Sequence, residues 1–201
     1  MITTPLGSTF TLQRITLSMA DGALLGLLVY VVCFFITFKR KKVFHNVCLC
    51  LLFCYAGFLA AATQQLILPM GWHVSAAQTR YVFASINWNP FSSGWNILQN
   101  CIRYHHSLDE FFRVVGGNFA LLMPLGVLAP LLNKKFRFWR TAALGLTVAV
   151  AIEALQLAGN LLGGARSVEM EDVLLNTLGC MAAYLVFLGV RKLFRLIEKK
   201  A

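Results

Sequence analysis

The sequence predicts an all-α protein, a polytopic membrane helix bundle of five transmembrane helices. Three observations predict it. Of 201 residues, 58% are hydrophobic and only 13% charged, whereas a soluble domain is nearer half apolar and a quarter charged. The apolar residues gather into long runs, and a spanning helix needs about 20 in succession. The basic residues cluster at alternate ends of those runs. A net charge of +10 therefore reads as a topology and lipid-headgroup signal rather than a nucleic-acid surface.

The first run, Leu17–Phe38, has no basic segment before it and is too long for the core of a cleavable signal. It ends in the stop-transfer-like Lys39–Lys42, and its Gly22/Gly26 pair has the spacing that permits close helix contact. The second run, Asn46–Leu68, holds Cys48, Cys50 and Cys54. Spacing of i, i+2 splits the first two across a helix, and no His or carboxylate joins them, so we read them as small buried apolar residues. Cys101 is the one cysteine expected outside, and no disulfide framework is expected there.

A long outer loop, about Pro69 to Phe112, follows. In Ile86–Asn96, Trp88, Phe91 and Trp95 stand among turn formers, and Pro90 biases Asn89 away from helix. Such aromatics sit at headgroup depth. Ile97, Leu98, Cys101, Ile102, His105, Leu108 and Phe112 then recur at helical spacing, as in a short helix lying in the interface. Ser107–Glu110 fits a capping box and leaves open a third helix starting as early as Ser107. His73, His105 and His106 are expected outside. The last two point about 100° apart on a helix, and we read them as surface residues, with no metal site.

The remaining spans are Arg113–Leu132, Trp139–Ala158 and Asp172–Val190. Gly159/Gly163 repeats the close-contact spacing but lies at the end of the fourth span, where a loop is an equal reading. No internal repeat is visible, which argues against an alternating-access transporter. The chain reads as a single membrane domain, 1–201.

Lys39, Arg40, Lys41, Lys42, Lys134, Lys135, Arg137, Arg140, Arg191, Lys192, Arg195, Lys199 and Lys200 share one side of this alternation. Only Arg14, Arg80, Arg103, Arg113 and Arg166 fall on the other. The positive-inside rule then places the N-terminus outside and the C-terminus in the cytoplasm.

Most acids lie at outer ends of spans, but Glu153 is inside the fourth. At about 1.5 Å per residue it stands ~20 Å from the basic end. A charged group there costs at least about 2.5 kcal/mol, so it should be paired, protonated or directed into the bundle. Gln156 and Asn160 share its helix face, Asn118 lies in the outer part of the third span, and Asp172, Asn176 and Gly179 form a stripe on the fifth. Glu169 precedes that stripe by a turn, and Arg166 is the nearest cation in sequence. Three helices thus bring polar groups to one depth from one side, with Glu153 and Asp172 as candidate acids or bases. Asn118, Gln156, Arg166, Glu169 and Asn176 are the candidate binding residues. The structural alternative makes Ser167 an N-cap, with Glu169, Glu171 and Asp172 complementing a helix end and the amides serving as interhelical glue. That accounts for Glu171 but not for Glu153.

Four segments in order resemble the VanZ-like family: Asn87–Phe91 ("NWNPF" with Asn87, Pro90 and Phe91), Asn118–Gly126 (with Pro124), Glu153–Gln156, and Ala165–Gly179. They cover about Phe83 to Leu188. Where many relatives carry aspartate between the arginine and the second acid, this chain has Glu169. The resemblance implies structural roles for Asn87, Pro90, Phe91, Pro124, Gly126 and Gly179. It also implies an envelope protein contributing to resistance to teicoplanin-type lipoglycopeptides, whose partner is a membrane lipid, a lipid-linked wall precursor or the lipoglycopeptide itself. No cofactor is implied. Two other readings compete: an intramembrane hydrolase or transferase using Glu153 or Asp172 on a lipid-linked substrate, and a scaffold for a membrane partner.

Overall fold

The computed structural model describes residues 2–3, 9–10, 13–15, 18–36, 43–63, 66–68, 75–105, 107–161 and 166–199. Expectations for Leu17, Phe38, Lys39–Lys42, His73, His106, Gly163 and Lys200 fall outside them. The protein is helical: α1 (Met19–Ile36), α2 (Val43–Thr63), α3 (Ala76–Ala84), α4 (Ser92–Tyr104), α5 (Asp109–Leu132), α6 (Phe138–Leu161) and α7 (Met170–Glu198). The helices α2, α5, α6 and α7 are long and apolar enough to cross a membrane, and α1 is apolar but shorter. Exposed apolar side chains such as Leu24, Leu28, Val150 and Leu185 line these helices, a surface that suits lipid rather than water. This is a multi-pass membrane protein.

The boundaries differ from expectation at several ends. The second span stops at Thr63, and Leu66–Leu68 is a strand paired antiparallel with Gln13–Ile15. A second short pair joins Ile2–Thr3 to Thr9–Phe10. Helix α4 ends at Tyr104 because His105 adopts a left-handed conformation (φ 52°), so Leu108 and Phe112 do not continue its face. Helix α5 does start early, at Asp109, but not through a capping box. The Ser107 hydroxyl instead donates to the Asp109 carboxylate at 2.8 Å, and Leu108 makes no side-chain cap.

The chain divides into two compact units. In the first (1–38, 53–87 and 152–168), α1 begins at a reciprocal cap. The Ser18 hydroxyl and backbone N–H donate to the Asp21 carboxylate, and Asp21 N–H returns to the hydroxyl. Helices α1 and α2 then meet backbone to backbone. A Cβ on Gly22 would lie 2.4 Å from the Gly57 carbonyl oxygen, and one on Gly26 would lie 2.0 Å from that of Phe53. The Gly22/Gly26 spacing therefore marks a true close contact. Gly159 has open space beside it.

The second unit (39–52, 88–151 and 169–201) is built on α5 and α7. Small residues again set the approach: a Cβ on Gly126 would lie 2.2 Å from the Cys180 carbonyl, and one on Gly179 would lie 1.7 Å from that of Phe119. The first half of α6 joins through Gly145 against Cys180 and Phe138 against Tyr184. Helix α5 is irregular, with a π-helical turn at Phe112–Gly116 and a break at Leu122. Pro124 explains the break. It has no N–H for the Ala120 carbonyl four residues back, and the Leu122 N–H turns to that carbonyl instead.

Candidate functional site

The second unit sets a polar pair between apolar helices. Asn118, two residues past the π turn of α5, donates Nδ2–H to Asp172 Oδ1 of α7 at 2.5 Å. Gly179 lies on the same face of α7 as Asp172, and its missing side chain lets the Phe119 carbonyl come into contact. Asn176 falls between them, is 1% exposed, and its Oδ1 has no hydrogen-bond partner among the described residues. The expected stripe of Asp172, Asn176 and Gly179 thus faces α5.

The other two acids do something the sequence did not suggest. Glu171 is not a solvated complement to its own helix end but is 7% exposed. Its carboxylate accepts the N–H of Ser93 at 2.8 Å and the N–H of Gly94 at 3.0 Å. Glu169 accepts from the Ser93 hydroxyl. Glu171 therefore supplies acceptors for orphan N–H groups at the start of α4, and Glu169 holds the Ser93 hydroxyl beside them. Gly94 is required for this, since a Cβ there would lie 2.5 Å from Glu171 Oε1 and 3.0 Å from Val115 Cγ2. Ser167 is not the N-cap of α7; that position belongs to Glu169, which makes no side-chain cap to its own helix. The turn before α4 is held by Asn89, whose side-chain oxygen accepts the Phe91 N–H at 3.1 Å and whose carbonyl accepts the Ser92 hydroxyl. Pro90 sits within that turn. Cys101 lies on the buried side of α4, while Trp95, Ile102 and Tyr104 are exposed.

The first unit holds the remaining candidates. Glu153 and Gln156 are buried at 6% and 7% exposure. Gln156 Nε2 donates to the Thr63 carbonyl at 3.3 Å, at the last turn of α2. Asn160 grips the loop after α6 from both sides, donating Nδ2–H to the Arg166 carbonyl at 2.6 Å and accepting the Arg166 N–H at 3.0 Å. The Arg166 guanidinium reaches the Ala62 carbonyl at 3.3 Å while the side chain stays exposed. That places a cation at a helix C-terminus, where carbonyls lack donors. From α3, Gln78 Nε2 donates to the Leu161 carbonyl at 3.1 Å. Asn87 N–H donates to the Val168 carbonyl at 3.0 Å, tying the "NWNPF" segment to the approach of α7.

The structure brings Asn118 and Asp172 together, and Asn160 and Arg166 together. The Arg166 guanidinium meets the Ala62 carbonyl at the end of α2. Gln78, Ser93, Gly94, Asn160 and Glu171 were not among the expected site residues. Of these, Glu171 had a signal, an acid directly before the Asp172 stripe, but its partner was 78 positions away. Among the described residues no group of three or more His, Cys, Asp and Glu is arranged to hold a metal ion.

A sequence model of the family described as VanZ/LLP1 matches residues 52–195. The matched segment contains every residue of the two polar groups just described and begins within α2. No curated protein and no solved structure matches the chain.

Proposed function

The chain belongs to the VanZ/LLP1 family, and on that premise we propose a cell-envelope protein of the bacterial plasma membrane that contributes to resistance to teicoplanin-type lipoglycopeptides. Its polar residues within the membrane face outward and meet the polar head of a lipid or lipid-linked wall precursor. The Asn118–Asp172 pair, set between apolar helices, carries this reading. A carboxylate at that position is costly in lipid and is retained where it has work to do. Deleting the gene and restoring it as wild type, Asp172→Asn or Asn118→Ala tests the role. Deletion should raise teicoplanin susceptibility more than vancomycin susceptibility, wild type should restore resistance, and the two variants should not. Equal teicoplanin susceptibility with and without the gene, in a host shown to express it, would refute the reading.

One observation favours a catalytic version of the same site class. Glu153 is a buried carboxylate in an apolar helix, the setting that prepares a general acid or base. The exposed guanidinium of Arg166 suits a phosphate or carboxylate. In this version Glu153→Gln inserts normally and loses function, and full function of that variant would eliminate it.

A further inference from the structure

The basic end of the second unit is more ordered than an orientation signal requires. The positive-inside rule asks only for Lys and Arg near a membrane end, not for their arrangement. Helix α7 runs unbroken for 29 residues, ~43 Å, against a hydrocarbon core about 30 Å thick. A helix that enters the core near Met170 leaves it near Val190, after about 20 residues, and Arg191–Glu198 continue as helix through the headgroup layer. Side chains in that extension turn by about 100° per residue. Arg191, Lys192, Arg195 and Lys199 therefore share one face, and Val190, Leu193, Phe194 and Ile197 the other, all of them exposed.

The basic face is the one turned toward α6. Tyr184 meets Phe138 with ring centroids 6.2 Å apart, and Arg191 and Arg195 leave α7 within about 20° of the direction of Tyr184. Helix α6 begins at Phe138 and runs antiparallel to α7. Beyond Tyr184 this face therefore looks toward the turn that joins α5 to α6. That turn is fixed by its own hydrogen bonds. Asn133 Oδ1 accepts the Lys135 N–H at 2.9 Å, and the Asn133 carbonyl accepts the Phe136 N–H at 3.0 Å. The Lys135 carbonyl accepts the Arg137 N–H at 3.0 Å and Arg140 Nη1–H at 3.3 Å. Lys134, Lys135, Arg137 and Arg140 are exposed along it. The exposed Trp139 beside them marks headgroup depth. Glu198 is the one acid in residues 133–151 and 184–201. Like charges gathered from two elements repel one another, and an anion between them offsets that cost.

We propose that the last turns of α7 and the α5–α6 turn together bind the phosphate of an anionic phospholipid. The guanidinium forks of Arg191 and Arg195 each donate to two phosphate oxygens, a geometry that lysine does not offer. The lysines of both elements add attraction for a negative headgroup surface. Leu193, Phe194 and Ile197 continue the exposed apolar side of Val186 and Val190, and that half of the extension suits the acyl boundary rather than a soluble partner. A zwitterionic headgroup carries an ammonium that the same cations repel, so the site selects lipids with a net negative charge. It lies at the opposite end of α5 and α7 from Asn118 and Asp172 and is independent of the function proposed there.

The test uses the full-length protein purified in detergent, titrated with phosphatidylglycerol, phosphatidylethanolamine and phosphatidylcholine of one acyl composition, and with inorganic phosphate. Binding is read by native mass spectrometry and by the shift in Tm. Phosphatidylglycerol should bind about tenfold more tightly than the other two lipids at low salt, and the preference should shrink as salt is raised. The double variant Arg191→Gln/Arg195→Gln should remove it. Arg103→Gln/Arg113→Gln, which removes the same charge from exposed positions before and at the other end of α5, should leave it intact. Should the first variant fail to insert, Lys134→Gln/Lys135→Gln on the turn carries the same test. Equal losses from the variants at the two ends would overturn the proposal, by tracing the preference to net charge alone. So would equal binding of all three lipids. A Tm rise with inorganic phosphate that matches the lipid and is lost in Arg191→Gln/Arg195→Gln would also overturn it, by assigning the site to a soluble anion.

Discussion

Gly179 shows what one residue contributes. With 1.7 Å between its absent Cβ and the Phe119 carbonyl oxygen, the neighbour is backbone and cannot swing aside. Gly179→Ala should therefore force α5 and α7 apart, at a cost of about 1–3 kcal/mol or more, read as a lower Tm in detergent. Gly159→Ala is the matched control, because among the described residues nothing lies within 4 Å of its Cβ position. It should be neutral or stabilising by up to ~1 kcal/mol. Equal effects from the two would refute the packing account. In the sequence Gly159 belongs to a small-residue pair, whereas Gly179 stands only in the stripe with Asp172 and Asn176. What separates them is the atom each one faces, and a spacing rule carries no information about that. The same holds for Glu171 and Asp172, adjacent in sequence but committed to different helices.

At the level of elements, the acid-rich start of α7 is the part whose meaning changed most. Its carboxylates hold α4, so an apparently local helix-end pattern is a long-range contact between the segment that holds α4 and the last long helix. Glu171→Ala would leave the Ser93 and Gly94 N–H groups without their acceptor, costing on the order of 1–3 kcal/mol. The expected result is faster amide hydrogen exchange in the first turn of α4, with α7 unaffected beyond its own first turn. Unchanged exchange in α4 would show that another group holds it. The amphipathic character of α4 was legible from its periodicity, and its exposed Trp95, Ile102 and Tyr104 fit a helix at headgroup depth. Its end was not legible, because the stop comes from a left-handed His105, a conformation that composition does not announce. The break in α5 was not read from the sequence, which gave one uninterrupted span, although its cause is Pro124.

For the molecule as a whole, charge distribution makes the sharpest prediction. With thirteen of the 18 basic residues on one side of the span alternation, the C-terminus should be cytoplasmic and the loop before α5 outside. A fluorescent protein fused after Ala201 should be active, as should alkaline phosphatase inserted in the turn after α3. Activity of the phosphatase at the C-terminus instead would reverse the assigned orientation. Helix α1, at 18 residues, is short for a span of about 20 residues, so its crossing is the part of the topology that such fusions test most directly.

The sequence by itself determined that this is a helical, multi-pass membrane protein of a recognisable family. Those properties depend on composition, run length and ordered short motifs, each of which is local and can be counted. It also singled out the stripe of Asp172, Asn176 and Gly179, since helix geometry places residues three and four apart on one face. Only the tertiary structure decided what the stripe meets. It joined Asn118 to Asp172, gave Glu171 and Glu169 to α4, and set the Arg166 guanidinium at a helix end. The physical reason is that hydrogen bonds depend on distances of a few ångströms between atoms far apart in the chain. Periodicity specifies the face from which a side chain leaves its helix, and packing alone specifies the partner waiting there.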